Sequence, residues 1–277
     1  YAYGFFRELR TAEIPDREAI PIAFRAASDL GPGLRVTLLP EASSQLVIGL
    51  NPAIRPAGED DAKLDEFHRP FMLVRREAKE SPSNFVSVVE PYEGAPFLDS
   101  VERIDLPDGA IAVRVVIGER TDVIVMGAKT AVTIPTGQQV ATFQGDYGVL
   151  SLLGEEIEHA FSVGEGGWSR GGYHLASSGP RSVPLQAAEA GTLVLATTSL
   201  PAPEKGDIVR VITSDGWTYP YTLAGAETRG EELWLQVSEG PGFQYDAKTQ
   251  RLQFASFPQR KHSGTVRVEW NPSSSRP

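Results

Sequence analysis

With four histidines, four tryptophans and no cysteine, few chemistries are open to this 277-residue sequence. The lack of cysteine excludes disulfides, thiol catalysis, Cys-ligated zinc and iron–sulfur clusters. His68, in "DEFHRP", stands beside a loop and before Pro70, a place for a surface or capping role. His159, in "EEIEHAF", follows Glu155, Glu156 and Glu158 on a strand-like run. Alternation puts only two of those side chains on each face, short of the three or four ligands zinc takes, so no metal site is expected. His262, in "PQRKHSG", lies in a basic turn and reads as solvent-facing.

His174 closes the stretch "GEGGWSRGGYH" (164–174), which sets Trp168, Arg170, Tyr173 and His174 among glycines. Glycine-rich loops tend to be exposed. Trp and Tyr offer flat faces for a sugar ring, and Arg forks onto a carboxylate or sulfate. Tyr with His is also the pair expected where a proton is removed α to a uronate carboxylate. The alternative is a hairpin whose Trp168 folds back onto a sheet. In "SDGWTYPYTL" (214–223), Trp217, Tyr219 and Tyr221 fall at even spacing, so one strand face carries all three, as a platform or as core. The carbohydrate-contact candidates are therefore Trp168, Arg170, Tyr173, His174 and Trp217.

Glu90 poses a separate question, because a carboxylate at the end of "NFVSVVEPY" (84–92) invites a catalytic reading. Pro91 removes a backbone donor and keeps Glu90 out of helical geometry, and Gly94 and Pro96 then turn the chain. Glu90 is expected to anchor that turn, paired with Arg75 or Arg76. Its strand, apolar on both parities, is expected to be covered on both sides. There is no nucleophile elbow, dinucleotide fingerprint or Walker loop, so no catalytic residue and no cofactor is assigned. A pair of carboxylates for glycoside hydrolysis stays open, because distance is not visible in sequence.

The elements that would position these residues are strands. Short Val/Ile/Thr/Phe-rich runs recur every 8–12 residues or so, as in "LRVTLL" (34–39), "AIAVRVVIG" (110–118), "GTLVLATT" (191–198) and "GTVRVEW" (264–270). Turn tokens such as Pro107-Asp108-Gly109 and Ser214-Asp215-Gly216 separate them, and 27 Gly and 21 Pro suit that many turns. Helical periodicity is confined to "AKLDEFHR" (62–69). The fold class is all-β: a large antiparallel β-sandwich over 1–200, then a smaller C-terminal β-domain over 201–270. The seam falls at the Pro-rich "TTSLPAPEKGD", and 271–277 reads as a flexible tail.

Hydrophobic residues make up 41% and charged residues 22%, as in ordinary globular chains. A net charge of −10, from 36 acidic and 26 basic residues, argues against nucleic acid as a partner. No apolar run reaches the ~20 residues of a membrane span. Opening on the aromatic segment "YAYGFFRELR", the chain reads as a piece of a longer polypeptide.

Several of these stretches, taken in order, resemble the C-terminal part of heparinase II/III-like polysaccharide lyases. Among them are "LGPGLRVTLLPEASSQLVIGLNP" (30–52) and "PFMLVRREAKESPSNFVSVVEPYEGAPFLDSVERI" (70–104). They continue with "GDYGVLSLLGEEIEHAFSVGEG" (145–166), "SDGWTYPYTLAGAE" (214–227) and "EGPGFQYD…FASFPQRKHSG" (239–264). The resemblance implies a helical toroid ahead of a supersandwich of antiparallel sheets. It implies β-elimination of acidic polysaccharides, with a Tyr and a His handling the C5 proton and the leaving oxygen. Those catalytic residues belong to the toroid and to a His-rich segment absent from the stretches quoted, so none is carried over. The expectation is a β-region that is inactive by itself and supports the lyase sandwich, with acidic polysaccharide and a toroid or partner chain as partners, in the periplasm or secreted. One alternative is a non-catalytic carbohydrate-binding or scaffolding module, with Trp168, Tyr173 and Trp217 as platforms. The other is a self-sufficient lyase using Arg170, Tyr173 and His174.

Overall fold

Period-two runs dominate the sequence, and in the computed structural model they become antiparallel sheets. The structure describes residues 6–15, 18–26, 31–52, 58, 60–77, 83–189, 191–196, 200–256 and 258–276. The protein is all-β, as its sequence texture implies. The one stretch with helical periodicity forms a 3₁₀ turn, Asp61–Phe67, capped by the Asp60 carboxylate, which accepts from the Ala62 amide. No helix among the described residues is long and apolar enough to cross a membrane.

The chain divides into two compact units, and the division falls near Asp105 and Val123. The first holds β1 (Arg7–Glu13), β2 (Ile20–Arg25), β3 (Pro32–Leu39), β4 (Ser44–Pro52), β5 (His68–Arg76), β6 (Val86–Glu93), β7 (Ser100–Asp105) and most of β8 (Ile111–Ile117). Two three-stranded sheets run β1-β4-β5 and β2-β3-β6.

Register explains Glu90. It lies opposite Arg35 across β3–β6 and is only 1% exposed. Its carboxylate accepts from the Arg35 guanidinium and from the amides of Phe97 and Leu98, and Arg35 also donates to the Leu98 carbonyl at 2.7 Å. Glu90 is thus a turn anchor, but its partner is Arg35 rather than Arg75 or Arg76, because β6 pairs with β3 and not with β5. Arg76 instead meets Glu41 at 2.6 Å. The strand is also not covered on both sides: Phe85 is 63% and Val89 57% exposed, on the parity opposite Glu90, with β6 last in its sheet.

The second unit contains β9 (Arg120–Thr136) from Ile124 onward, β10 (Gln139–Leu153), β11 (Glu156–Val163), β12 (Gly166–Arg170) and β13 (Tyr173–Ser177). It continues with β14 (Arg181–Glu189), β15 (Thr192–Leu195), β16 (Ile208–Ile212), β17 (Thr218–Arg229) and β18 (Glu232–Val237). The last strands are β19 (Phe243–Asp246), β20 (Arg251–Phe254), β21 (Lys261–Ser263), β22 (Arg267–Trp270) and β23 (Ser273–Arg276). The residues of β23, read from sequence as a flexible tail, pair with β11 from Ala160↔Arg276 to Val163↔Ser273, where ladder hydrogen bonds fix them.

Strands β14-β15-β18-β17-β16-β22 close on themselves, because β14 pairs with β22 through Arg181–Pro184 and with β15 through Leu185–Glu189. Closure leaves no open edge among these six, and Leu193, Leu195, Val209, Leu223, Leu235 and Trp270 point into the interior, each 1% exposed or less. The seam read near residue 200 lies inside this barrel, since two of its staves, β14 and β15, come before Pro201. Beyond β14 the sheet continues as β19-β20-β21, which brings a second hairpin beside the barrel wall.

Candidate functional site

The five sugar-contact candidates separate once their strands are placed. Trp168 and Arg170 alternate with Ser169 on β12, and register sets Trp168 opposite Leu175 and Arg170 opposite Tyr173 on β13. Trp168 is 1% exposed, donates its indole N–H to the Phe161 carbonyl at 2.9 Å and lies 4.5 Å from the Phe143 ring. A sugar platform needs an exposed face, so Trp168 is core. The glycines beside it make room for the rings: a Cβ on Gly148 would stand 2.4 Å from Phe143 and 2.9 Å from the Trp168 indole nitrogen.

Arg170 is 6% exposed, and its fork is spent within the fold. It donates to the Thr136 hydroxyl at 2.9 Å, to the Thr136 carbonyl at 3.1 Å, and to the carbonyl and carboxylate of Glu155. This ties the β9–β10 and β10–β11 turns together. The Gln138 amide and Arg170 hold the Glu155 carboxyl below its ordinary value against a smaller opposing effect of burial. Tyr173 is half-buried on that same face, whereas His174 points the other way and is exposed. Neighbours on opposite faces of a strand cannot share one proton transfer, so the Tyr173–His174 pair is not a catalytic couple. Glu158 and His159 are both exposed beside the irregularity in β10–β11 pairing, and no three His, Asp or Glu side chains converge on a metal position among the described residues.

Trp217 alone of the five stands out from the surface with a charged partner. The hairpin between β16 and β17 turns on Ser214-Asp215-Gly216, with the Gly216 amide donating to the Thr213 carbonyl at 3.0 Å and Gly216 at φ +86°. Trp217 leaves this turn 47% exposed, and the Arg260 guanidinium lies over its ring at 4.1 Å. The even spacing of Trp217, Tyr219 and Tyr221 becomes a gradient, from exposed through half-buried to buried. Tyr221 donates to the Pro241 carbonyl at 2.8 Å, and burial pushes its phenol up to about 12.

Beneath Trp217 and Arg260 lies the residue read from sequence as solvent-facing. His262 is 6% exposed, because β21 pairs with β20 and turns it inward against Tyr219 and Phe254. Its Nδ1 meets the Asp215 carboxylate at 3.0 Å, and its Nε2 meets the Tyr219 hydroxyl at 2.8 Å. The Thr213 hydroxyl donates to Asp215 at 2.6 Å, and with His262 it holds that carboxyl below its ordinary value. An ionised carboxylate only accepts, so Nδ1 carries the proton, and in the neutral ring Nε2 accepts from Tyr219. The Ser214 hydroxyl donates to the Ser263 carbonyl at 2.6 Å and makes a second tie between the two turns.

The result is a surface patch: an indole, a guanidinium on it, the exposed Lys261 next in sequence, and a hydrogen-bonded chain from the exposed Asp215 through the buried His262 to the half-buried Tyr219 that ties the turns together. The sequence showed Trp217 but not Arg260 or the linkage to His262. The tokens "SDGW" and "RKH" lie some 45 residues apart and meet only because β19–β21 attach to the barrel through β14. No family model, no curated protein and no solved structure matches this chain.

Proposed function

We propose that this chain is a non-catalytic β-region that contacts an acidic glycan through Trp217 and Arg260, within a heparinase II/III-like polysaccharide lyase whose catalytic residues lie on a toroid or partner chain. The observation that carries the reading is the exposed Trp217 with the Arg260 guanidinium over its ring, both set on turns that the Asp215–His262 contact ties together. A sugar ring meets the indole through its C–H edge, and a uronate carboxylate or sulfate meets the guanidinium. Preorganisation lowers the ordering cost of binding. The overall charge of −10 opposes a polyanion, so the contact is local, weak and salt-sensitive.

Affinity electrophoresis through gels holding alginate, chondroitin or heparin tests the reading. The wild-type chain is retarded by at least one of these polymers, while Trp217→Ala and Arg260→Gln run as in a gel without polymer. Equal mobility of all three chains in every gel overturns it.

The hydrogen-bonded series Asp215–His262–Tyr219 favours a second reading, a β-elimination in which His262 takes the Tyr219 proton, the Tyr219 phenolate takes the C5 proton of a uronate and passes it to the leaving O4 as the C4–O bond breaks, and His262 returns its proton to Tyr219. It differs from the first in a direct readout: ultraviolet absorbance of unsaturated uronate rises when the chain alone is mixed with polymer. A flat trace excludes the second reading and leaves the first standing.

A further inference from the structure

The outer face of the barrel carries a second aromatic feature away from Trp217. On β17 and β18, Gly225, Glu227 and Arg229 share a face with Gln236, Trp234 and Glu232, in that cross-strand order. The next stave sets Thr192 opposite Gln236. Between these side chains is a depression of about 350 Å³ lined by Thr192, Gly225, Glu227, Arg229, Trp234 and Gln236. That size falls within the range of small-molecule sites.

Local sequence explains why a smooth barrel wall is hollow there. The β17–β18 register shifts between Leu223 and Gly225, and Gly225 presents no side chain. A Cβ built on Gly225 meets nothing within 4 Å, and its backbone is not in the left-handed region, so the hollow is open space and not strain. The wall beside it is built from paired groups. Trp234 is half-buried and donates its indole N–H to Glu232 at 2.9 Å, and the Arg229 guanidinium lies 4.4 Å from its ring centre. Arg229 in turn donates to Glu227 at 2.7 Å.

The charges select the ligand class. Arg229 is neutralised by Glu227, and Glu232 adds a further negative charge, so the described residues lining the depression supply no free cation with which to favour a carboxylate or sulfate. What it offers is an indole wall with a rim of amide, hydroxyl and carboxylate groups. A neutral pyranose has matching surfaces, apolar C–H on one side and hydroxyls around the edge. From this geometry we infer a binding site for one neutral pyranose unit, walled by Trp234 and floored by Gly225. It is separate from the acidic-glycan contact at Trp217.

The test is an NMR titration of the ¹⁵N-labelled full chain with the methyl glycosides of glucose, galactose and mannose. Each is taken to roughly 100 mM, well above the millimolar Kd of so small a ligand. The Trp234 indole N–H and the Gln236 side-chain amide shift saturably with at least one of them, while the indoles of Trp168, Trp217 and Trp270 stay in place. Gly225→Met fills the hollow, keeps the thermal midpoint of the wild type and abolishes the shift. No saturable shift at Trp234 with any of the three overturns the inference, as does a shift that survives in a folded Gly225→Met chain. Because the sugars are uncharged and the reporter is Trp234, the outcome is independent of the reading at Trp217.

Discussion

Replacing Glu90 with Gln keeps the side-chain shape, removes the charge and turns one of its two acceptor oxygens into an NH2 donor. At 1% exposure, that charge accepts from the Arg35 guanidinium and from the Phe97 and Leu98 amides. Burial by itself would raise the Glu90 carboxyl. The Leu98 and Phe97 amides and Arg35 outweigh it and hold the group below its ordinary value. A hydrogen bond to a charged group contributes ~1.5–3 kcal/mol, and an orphaned buried donor carries a desolvation cost of its own. Glu90→Gln should therefore lower stability at pH 7 by about 3 kcal/mol. With a urea slope of ~2 kcal/mol/M, the midpoint falls by ~1.5 M.

Far-UV circular dichroism follows both units, while fluorescence follows only the second, which holds all four tryptophans. The fall belongs to the dichroism change that precedes or lacks a fluorescence change. The effect also has a pH signature. A depressed folded-state value gives stability that is present above the unfolded Glu value of ~4.3 and is lost as pH falls through the folded value. Below that window the gap between wild type and Glu90→Gln closes. A midpoint shift under ~0.3 M at pH 7, or an equal gap at pH 7 and in acid, would refute the assignment of Glu90 as a charged anchor.

Other outcomes follow from the same contacts. Tyr221→Phe removes a buried hydrogen bond to Pro241 and costs about 1 kcal/mol in a urea melt near neutral pH. The phenol's raised value means that its stability is full below ~10 and lost as pH rises toward about 12, so the variant flattens alkaline unfolding over that range. Gly148→Ala drives a methyl into Phe143 and the Trp168 indole and costs ~1–3 kcal/mol, read from thermal melting by fluorescence. Asp215→Asn, at a half-exposed position, leaves the melting curve in place but weakens glycan retention, because His262 loses the partner that ties its turn to Trp217.

Period-two texture was enough to read the fold class, since alternation of Leu, Val and Ile along runs such as "IVRVI" is what a one-sided barrel wall requires. Barrel closure was not legible. It depends on β14 pairing with β22 at one end and with β15 at the other, and the Pro-rich 201–206 stretch between β15 and β16 mimics a domain boundary. Trp168 was legible only as two alternatives, a sugar platform or a hairpin Trp folded back onto the sheet, and the structure has the second. Glycines around an aromatic suggest an exposed loop, yet Gly148 is small because the Phe143–Trp168 pair packs against its backbone. Arg170 has the right chemistry for an anion but is used on Glu155, and only coordinates reveal that an internal carboxylate has claimed it. Glu90 was readable as an anchor because Pro91 and Gly94 announce the turn, but its partner required the strand order. His262 looks solvent-facing between Lys261 and Ser263, and the alternation of β21 turns it inward.

The central claim is contact between acidic glycan and the Trp217–Arg260 pair, and mapping that contact tests it most directly. Titrating ¹⁵N-labelled chain with a uronate oligosaccharide should shift the Trp217 indole N–H and the Arg260 guanidinium resonances saturably. The shifts should weaken as salt is added and leave the buried Trp168 and Trp270 indoles unmoved. Binding that perturbs other residues while Trp217 and Arg260 stay fixed, or no saturable perturbation at all, would contradict the account.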